Sequence, residues 1–219
     1  MLRPRILPSS ASRPLLARKG GHSRPGAGFN LVEIVVVLAI AALLFSWSVP
    51  GLLSMSRRVR LEMAANEISS LMRLARSMAV RRNLNVALKF HLEPEGRVLY
   101  TLYRDGDGDG VLSRDIASGT DPPLGPPREL AHMGAHVQFG FPEGPAPRDP
   151  GNPHRRLDRL DDPIRFNRSD MASFGPLGTS TPGSVYLSDG LHSLVAVRVF
   201  GRTGKVEVLR YDVETELWE

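Results

Sequence analysis

The chain has 219 residues and no cysteine, and its 28 Lys and Arg against 23 Asp and Glu give a formal charge of +5. The lack of cysteine excludes a disulfide framework, a thiol nucleophile and a Cys-type zinc site. A basic chain ordinarily suggests nucleic acid or an anionic membrane surface as a partner. Six of the basic residues and no acid lie in residues 1–28. Removing those six leaves 22 basic against 23 acidic residues, so the rest of the chain is nearly neutral.

The first two segments of the chain differ sharply in composition. Residues 1–28 are rich in Pro, Ser, Gly and Arg, without an apolar period, and are expected to be an unstructured basic leader. Residues 29–53 are almost wholly apolar, with Glu33 as the only formal charge. As a helix they would be roughly 37 Å long, and an apolar bilayer core is about 30 Å thick. The pattern therefore predicts a transmembrane helix, which Pro50 should kink without ending.

An amphipathic helix is predicted for residues 54–82, because apolar residues recur there at alternating steps of four and three. Its apolar stripe consists of Leu61, Ala65, Ile68, Met72, Ala75 and Ala79. Strand patterns follow at residues 85–92, 97–103, 136–141, 184–187, 194–200 and 205–211. Residues 117–163 hold 10 of the 18 prolines and are predicted to be a long loop region. The fold class is therefore α+β, with one long amino-terminal helix packed on a mostly antiparallel sheet in a β-rich head, residues 83–219.

Three interpretations compete for residues 1–53. The first is a cleaved secretory signal, with small residues at Ser46 and Ser48 before the cut. The second is a plain signal anchor, which has no need of Glu33. A carboxylate near the end of a membrane helix costs up to a few kcal/mol and calls for a partner or a purpose. The third interpretation supplies both.

The run Gly28-Phe-Asn-Leu-Val-Glu33, with a long apolar helix and Pro50 behind it, resembles the amino terminus of type IV pilin-like proteins. The resemblance implies cleavage after Gly28 by a prepilin peptidase on the cytoplasmic face and N-methylation of Phe29. It also implies that Glu33 acts in assembly, where it would pair with the new amine of a neighbouring subunit. A paired charge in hydrocarbon costs far less than a lone one. Asn30 departs from the pattern, since Thr is more usual there.

Two further stretches resemble the GspH/FimT group of pseudopilins and minor pilins. They are the run Leu74–Val86 and the Gly-turn-strand pattern that runs from Phe174 to Val206. The resemblance covers roughly residues 29–90 and 164–211 and leaves the middle uncovered. It implies a minor subunit, cleaved and methylated, that assembles with other pseudopilins or pilins in a type II secretion pseudopilus or a type IV pilus. The basic leader should stay cytoplasmic, with one pass through the inner membrane lipid and a periplasmic head.

An acidic run, Asp105-Gly-Asp107-Gly-Asp109-Gly110, resembles the start of an EF-hand type calcium loop. Oxygens at alternate positions and a glycine at the sixth allow a chain to wrap a hard cation. The usual acid at the twelfth position is missing, since Ile116 stands there and Asp115 lies one residue early. Calcium held by Asp105, Asp107, Asp109 and Asp115 and a solvated acidic turn both remain open interpretations.

Binding of DNA at a filament tip is the alternative function, because some minor pilins of this group act in DNA uptake. Phosphate binding needs clustered cations. Five arginines do cluster between residues 155 and 168, but Asp158, Asp161 and Asp162 interleave them, and the carboxy-terminal tail is acidic. This balance disfavours nucleic acid as a partner. The chain has no Gly-x-Ser-x-Gly elbow or phosphate loop, and we expect no enzymatic activity and no required cofactor.

Overall fold

The computed structural model describes residues 30–94, 97–130, 134 and 136–219, and for residues 47–54 the helical backbone alone. The chain divides after Ser46 into an amino-terminal unit and a second unit, Trp47–Glu219. We call this second unit the head, and it contains the predicted β-rich head at residues 83–219. Helix α1, Leu31–Arg82, contributes to both units. The predicted leader, residues 1–28, and Phe29 lie outside the described residues.

Helix α1 ends in a left-handed residue. Asn83 has φ 52° and the amide of Leu84 donates to the carbonyl of Ala79 at 3.3 Å. This backbone bond across the last turn is the usual way to close a helix, and asparagine is one of the residues that tolerate the left-handed conformation. The end lies at Arg82, where the apolar period of the sequence also stops.

The first sheet of the head has the strand order β3-β2-β1-β8, with every pair antiparallel. Its strands are β1 Val86–Leu92, β2 Val98–Arg104, β3 Arg128–Glu129 and β8 Met171–Phe174. The predicted hairpin is therefore present as β1 and β2. Between β2 and β3 lies a short helix, α2 Ser113–Ser118.

The second sheet has the order β12-β11-β10-β9-β4, with β7 also paired to β9, and it too is antiparallel. Its strands are β4 Gln138–Phe139, β7 Ile164–Arg165, β9 Gly183–Ser188, β10 Leu194–Phe200, β11 Lys205–Asp212 and β12 Leu217–Trp218. A separate two-stranded sheet pairs β5 Arg148–Asp149 with β6 Asn152–Arg156. The α+β class with antiparallel sheets is thus confirmed.

The core of the head lies between α1 and both sheets. The predicted apolar stripe of α1 is completely buried, and it packs with apolar residues of the first sheet such as Leu88 and Phe90 and of the second sheet such as Val185 and Val197. Small residues at Ala65, Ala75 and Ala79 of the helix let the sheets approach closely, because they place little bulk between helix and strands.

The described residues of the proline-rich segment form several short strands where the sequence predicts a loop. Strands β3 to β6 lie within residues 117–163, and Leu157 packs on the outer face of the second sheet with Tyr186, Leu194 and Ala196. The central strands β9 and β10 of the second sheet are therefore buried on both faces. The prolines of this segment are compatible with short strands, because they occur at strand edges and in turns. At such positions the sheet needs no hydrogen bond from the N–H that proline lacks.

In the ranges that the structure describes, no helix is long and apolar enough to cross a membrane. The predicted span, residues 29–53, includes Phe29 outside those ranges and the side chains at 47–54, which are not described. It stays a prediction.

Candidate functional site

The start of helix α1 is built by the residues that follow the predicted cleavage point. The side-chain oxygen of Asn30 accepts a hydrogen bond from the amide of Val32 at 3.3 Å, and its carbonyl accepts one from Ile34 at 3.1 Å. Asn30 is therefore the N-cap, a position that asparagine fills as well as serine or threonine does. Asn30 can therefore replace the more usual Thr at this position and still cap the start of the helix.

Glu33 lies in the first turn of α1 and is exposed. A carboxylate there is favoured by the exposed amides and the positive end of the helix dipole. Gly28 and Phe29, the predicted processing residues, lie outside the described residues. Pro50 lies within the continuous helix Leu31–Arg82, and its side chain is not described. The assembly roles of Glu33 and Pro50 stay predictions.

In the described part of the amino-terminal unit, residues 31–46, helix α1 exposes apolar side chains on all of its sides. Leu31, Leu43 and Phe45 are 77%, 68% and 67% exposed, and the large apolar residues between them are mostly in the same state. Such an all-apolar helix is found buried in a larger apolar environment, either lipid or other helices. Glu33 is the only charged side chain in this stretch.

The acidic loop connects β2 to α2 and is organised around Asp105. This carboxylate is 6% exposed and accepts hydrogen bonds from the amides of Gly108 at 2.6 Å and Gly110 at 3.0 Å and from Asn85 Nδ2 at 2.7 Å. Burial alone would raise the pKa of Asp105, but these donors outweigh it and hold the pKa below its ordinary value. The residue is therefore ionised and its loop is held in a wrapped conformation.

The structure brings together three of the four predicted calcium ligands. One carboxylate oxygen from each of Asp105, Asp107 and Asp109 lies within 4.8 Å of the others, and Asp107 and Asp109 are exposed. Loss of hydration and repulsion from Asp107 and Asp115 raise the pKa of Asp109, although Arg114 opposes the shift. Oxygen ligands at this spacing suit a hard cation such as calcium, which relieves repulsion among carboxylates.

The fourth predicted ligand, Asp115, is tied to a different partner. Arg114 bridges the acids, with 3.2 Å from Nε to Asp115 Oδ2 and 2.8 Å from Nη2 to Asp109 Oδ2. The guanidinium thus supplies part of the positive charge that a cation would bring. The donor set fits calcium in part, and the calcium interpretation stays a prediction beside that of an acidic turn.

Sequence reasoning missed Asp121, which closes the same loop. It is completely buried and accepts hydrogen bonds from the amides of Gly106 and Leu112, both at 3.0 Å. In the sequence Asp121 precedes two prolines, a pattern that is typical of a turn. Its partners lie 15 and 9 residues earlier, so only the folded loop reveals its role.

The arginine cluster of residues 155–168 is largely paired. Arg155 and Arg165 lie beside Asp158, Arg159 lies beside Asp162, and Arg156 binds Glu216. Paired guanidinium groups attract phosphate less, because the carboxylate already compensates their charge. No described contact favours DNA capture, and a gel shift at low salt tests this alternative.

Comparison with known proteins places the chain in a family. The sequence profile described as type II transport protein GspH matches residues 64–204. The match includes the middle of the chain, which the resemblance of residues 29–90 and 164–211 leaves uncovered. No curated protein and no solved structure gives a significant match. Because the profile match covers more than half of the 219 residues, the chain belongs to the GspH family of type II transport proteins.

Proposed function

We propose that the chain is a minor pseudopilin, inserted in the inner membrane by residues 29–53 and assembled by its amino-terminal helix into a short periplasmic filament. The observation that carries this is the exposed segment Leu31–Phe45, which is apolar except for Glu33 in its first turn. An apolar helix of this kind is stable only when lipid or neighbouring helices cover it. The family description favours a type II secretion pseudopilus over a type IV pilus.

Processing is proposed to precede assembly. A prepilin peptidase cuts after Gly28 and methylates the new amino terminus at Phe29, which lies next to the N-cap Asn30. The mature chain then begins two residues before α1, which starts at Leu31. In the bilayer or filament, the carboxylate of Glu33 pairs with the protonated amino terminus of a neighbour, and this pairing sets the axial register between subunits. The leader stays in the cytoplasm and the head enters the periplasm.

The experiment is to express the chain with and without a prepilin peptidase and to determine the amino terminus of the membrane-extracted protein by mass spectrometry. We expect a mature chain that starts at Phe29 and carries one added methyl group. Gly28→Ala should block the cut, and Gly26→Ala is the matched control that should not. A mature chain starting at Val49 would show a secretory signal instead and would defeat the proposal.

Assembly is tested separately, in cells that contain the remaining pseudopilins. Glu33→Gln should be cleaved normally but should cross-link poorly to the other subunits, since the charge pair is lost while the helix remains. Glu143→Gln changes an exposed carboxylate of the head in the same way and serves as the control. Equal cross-linking of both variants would remove Glu33 from the assembly mechanism.

A further inference from the structure

Strand β11 has an open edge over most of its length. Strand β12 pairs only with its end, at Tyr211 and Asp212, and beyond them Arg210 and Glu219 exchange two backbone hydrogen bonds of 2.8 and 2.9 Å. From residue 209 back to residue 205, no strand in the described part of the chain pairs with β11 on this side. Open edges of this kind are templates for a further strand.

The direction of the free backbone groups follows from the pairing. Because Arg210 directs its N–H and C=O toward β12, Val208 and Val206 direct theirs the same way. The carbonyl of Val206 accepts a hydrogen bond from Arg73 Nη2 at 3.3 Å. Among the described residues, Val208 has no further backbone partner on this edge. The edge therefore offers an unused ladder in line with β12.

A hollow with mainly apolar exposed walls adjoins the edge on the outer face of the sheet. Its volume is about 260 Å³, and its apolar walls include Leu209 of β11, Phe200 of β10, and Leu217 and Trp218 of β12. The charged side chains at its rim belong to Arg148, Arg198, Glu207 and Glu216. Leu217 is 53% exposed. An added strand would direct every second side chain toward this face, where the hollow has room for an aliphatic group.

Positive charge lies on the other side of the same edge. Arg73 reaches Val206 from α1, and Arg76 donates to the carbonyl of Gly178 at 3.4 Å. In the part of the chain that is described, neither guanidinium pairs with a carboxylate, whereas Glu62 is matched by Arg210 at 3.0 Å. The side chains of an added strand that face α1 would thus meet cations.

We propose that the open edge of β11 receives an extended segment of another polypeptide, added antiparallel to β11 in line with β12. Apolar side chains of the segment enter the hollow beside Leu209, and acidic side chains opposite Val206 and Val208 meet Arg73. The incoming amide replaces Arg73 at the Val206 carbonyl, which frees the guanidinium to bind the carboxylate. Backbone hydrogen bonds to β11 supply affinity. The hollow on one face of the added strand and Arg73 on the other select its side chains, as in other strand additions. This docking does not depend on the assembly role proposed for α1.

The probe is a synthetic capped peptide of alternating valine and aspartate, with threonine at both ends, titrated calorimetrically into the full chain in detergent. Two comparison peptides carry lysine in place of aspartate, or N-methyl groups on the aspartate amides. We expect the aspartate peptide to bind at micromolar concentration and the lysine peptide at least about ten-fold more weakly, because its charge is opposed. The N-methylated peptide should not bind, since it lacks the donors that the ladder requires.

The charge contact is tested by Arg73→Glu, which should reverse the preference between the aspartate and lysine peptides. Arg81→Glu is the matched control, because Arg81 is on the same helix and, among the described residues, its guanidinium donates to the carbonyl of Ser77 one turn earlier and to no other group. Circular dichroism checks that both variants fold. If Arg73→Glu does not fold, the comparison of the three peptides on the unaltered chain tests the proposal. Absence of heat at millimolar peptide, equal binding of the N-methylated peptide, or equal effects of the two variants would overturn the proposal. So would self-association of the chain that blocks binding of the aspartate peptide, because the edge would then belong to a second copy.

Discussion

At the scale of single residues, one tight constraint in the head is at Gly204, in the turn between β10 and β11. Its φ is +61°, and a Cβ built there would overlap the carbonyl oxygen of Gly178 and lie 2.8 Å from Arg76 Nε. The sequence marks this position only as one glycine of a Gly-rich turn. The structure shows that two loops far apart in the chain meet there, so the glycine serves packing as well as conformation.

Gly204→Ala should therefore destabilise the chain by more than the cost of a positive φ alone. Gly119→Ala is the matched control, since Gly119 has φ +82° and nothing within 4 Å of its Cβ position. We expect about 1–2 kcal/mol for the control and roughly 2 kcal/mol more for Gly204→Ala. Urea unfolding of both variants in the same detergent measures the difference. Equal losses would show that the backbone of the Gly178 loop moves away at little cost.

At the scale of elements, α1 is divided into faces with different roles. Ile68 is completely buried between the sheets, while Met63, just over one turn earlier, is 53% exposed. The apolar period of the sequence assigns Ile68 to the core stripe, and the structure confirms this. The period cannot say how much of the remaining helix surface is free, because that depends on which loops fold over it.

Ile68→Ala should lower the free energy of unfolding by about 2–5 kcal/mol, because it leaves a cavity in a core that cannot collapse between helix and sheets. Met63→Ala should change it by no more than about 0.5 kcal/mol. Thermal and urea unfolding followed by circular dichroism measure both. A large effect of Met63→Ala would mean that another part of the chain covers this face.

The acidic loop is a second element whose function a measurement can decide. The calcium interpretation predicts heat on titration and a higher melting temperature at millimolar calcium, and Asp107→Asn should weaken both, since it removes an exposed ligand without touching the bonds of Asp105. Asp161→Asn removes an exposed acid outside the loop and should leave them unchanged. The acidic-turn interpretation predicts neither heat nor a melting shift, because Arg114 and the backbone amides already satisfy the carboxylates.

At the scale of the whole molecule, acidic side chains with lowered pKa values lie in separate turns and contacts between segments of the head. Hydrogen bonds from Arg156 and Arg148 lower the pKa of Glu216, which joins the proline-rich segment to the carboxy terminus. Burial alone would raise the pKa of Asp189, but the amides of Ser193, Leu191 and His192 outweigh it in the β9–β10 turn. Burial raises the pKa of Asp170, so this group contributes to the pH dependence of stability in the opposite direction.

A group whose pKa is lower in the folded chain stabilises the fold above its unfolded pKa, and that contribution is lost as the pH falls. The ordinary values are 3.8 for aspartate and 4.5 for glutamate. We therefore expect the free energy of unfolding to fall between about pH 5 and pH 2, as measured by urea unfolding at each pH. Asp189→Asn should be less stable than the unaltered chain at neutral pH and lose less on acidification. A curve for Asp189→Asn parallel to that of the unaltered chain would contradict the role of Asp189.

The sequence by itself determined the helical stripe of α1, the hairpin of β1 and β2 and the carboxy-terminal strands, because apolar periods of 3.6 and 2 are local signals. It also carried the resemblance at Gly28–Glu33 and the acidic loop. Only the tertiary structure decided that the proline-rich segment packs on part of the outer face of the second sheet, that Asp121 closes the acidic loop and that β11 keeps an open edge. Each of these depends on groups distant in the chain that meet after folding, and no local pattern encodes which backbone group finds a partner.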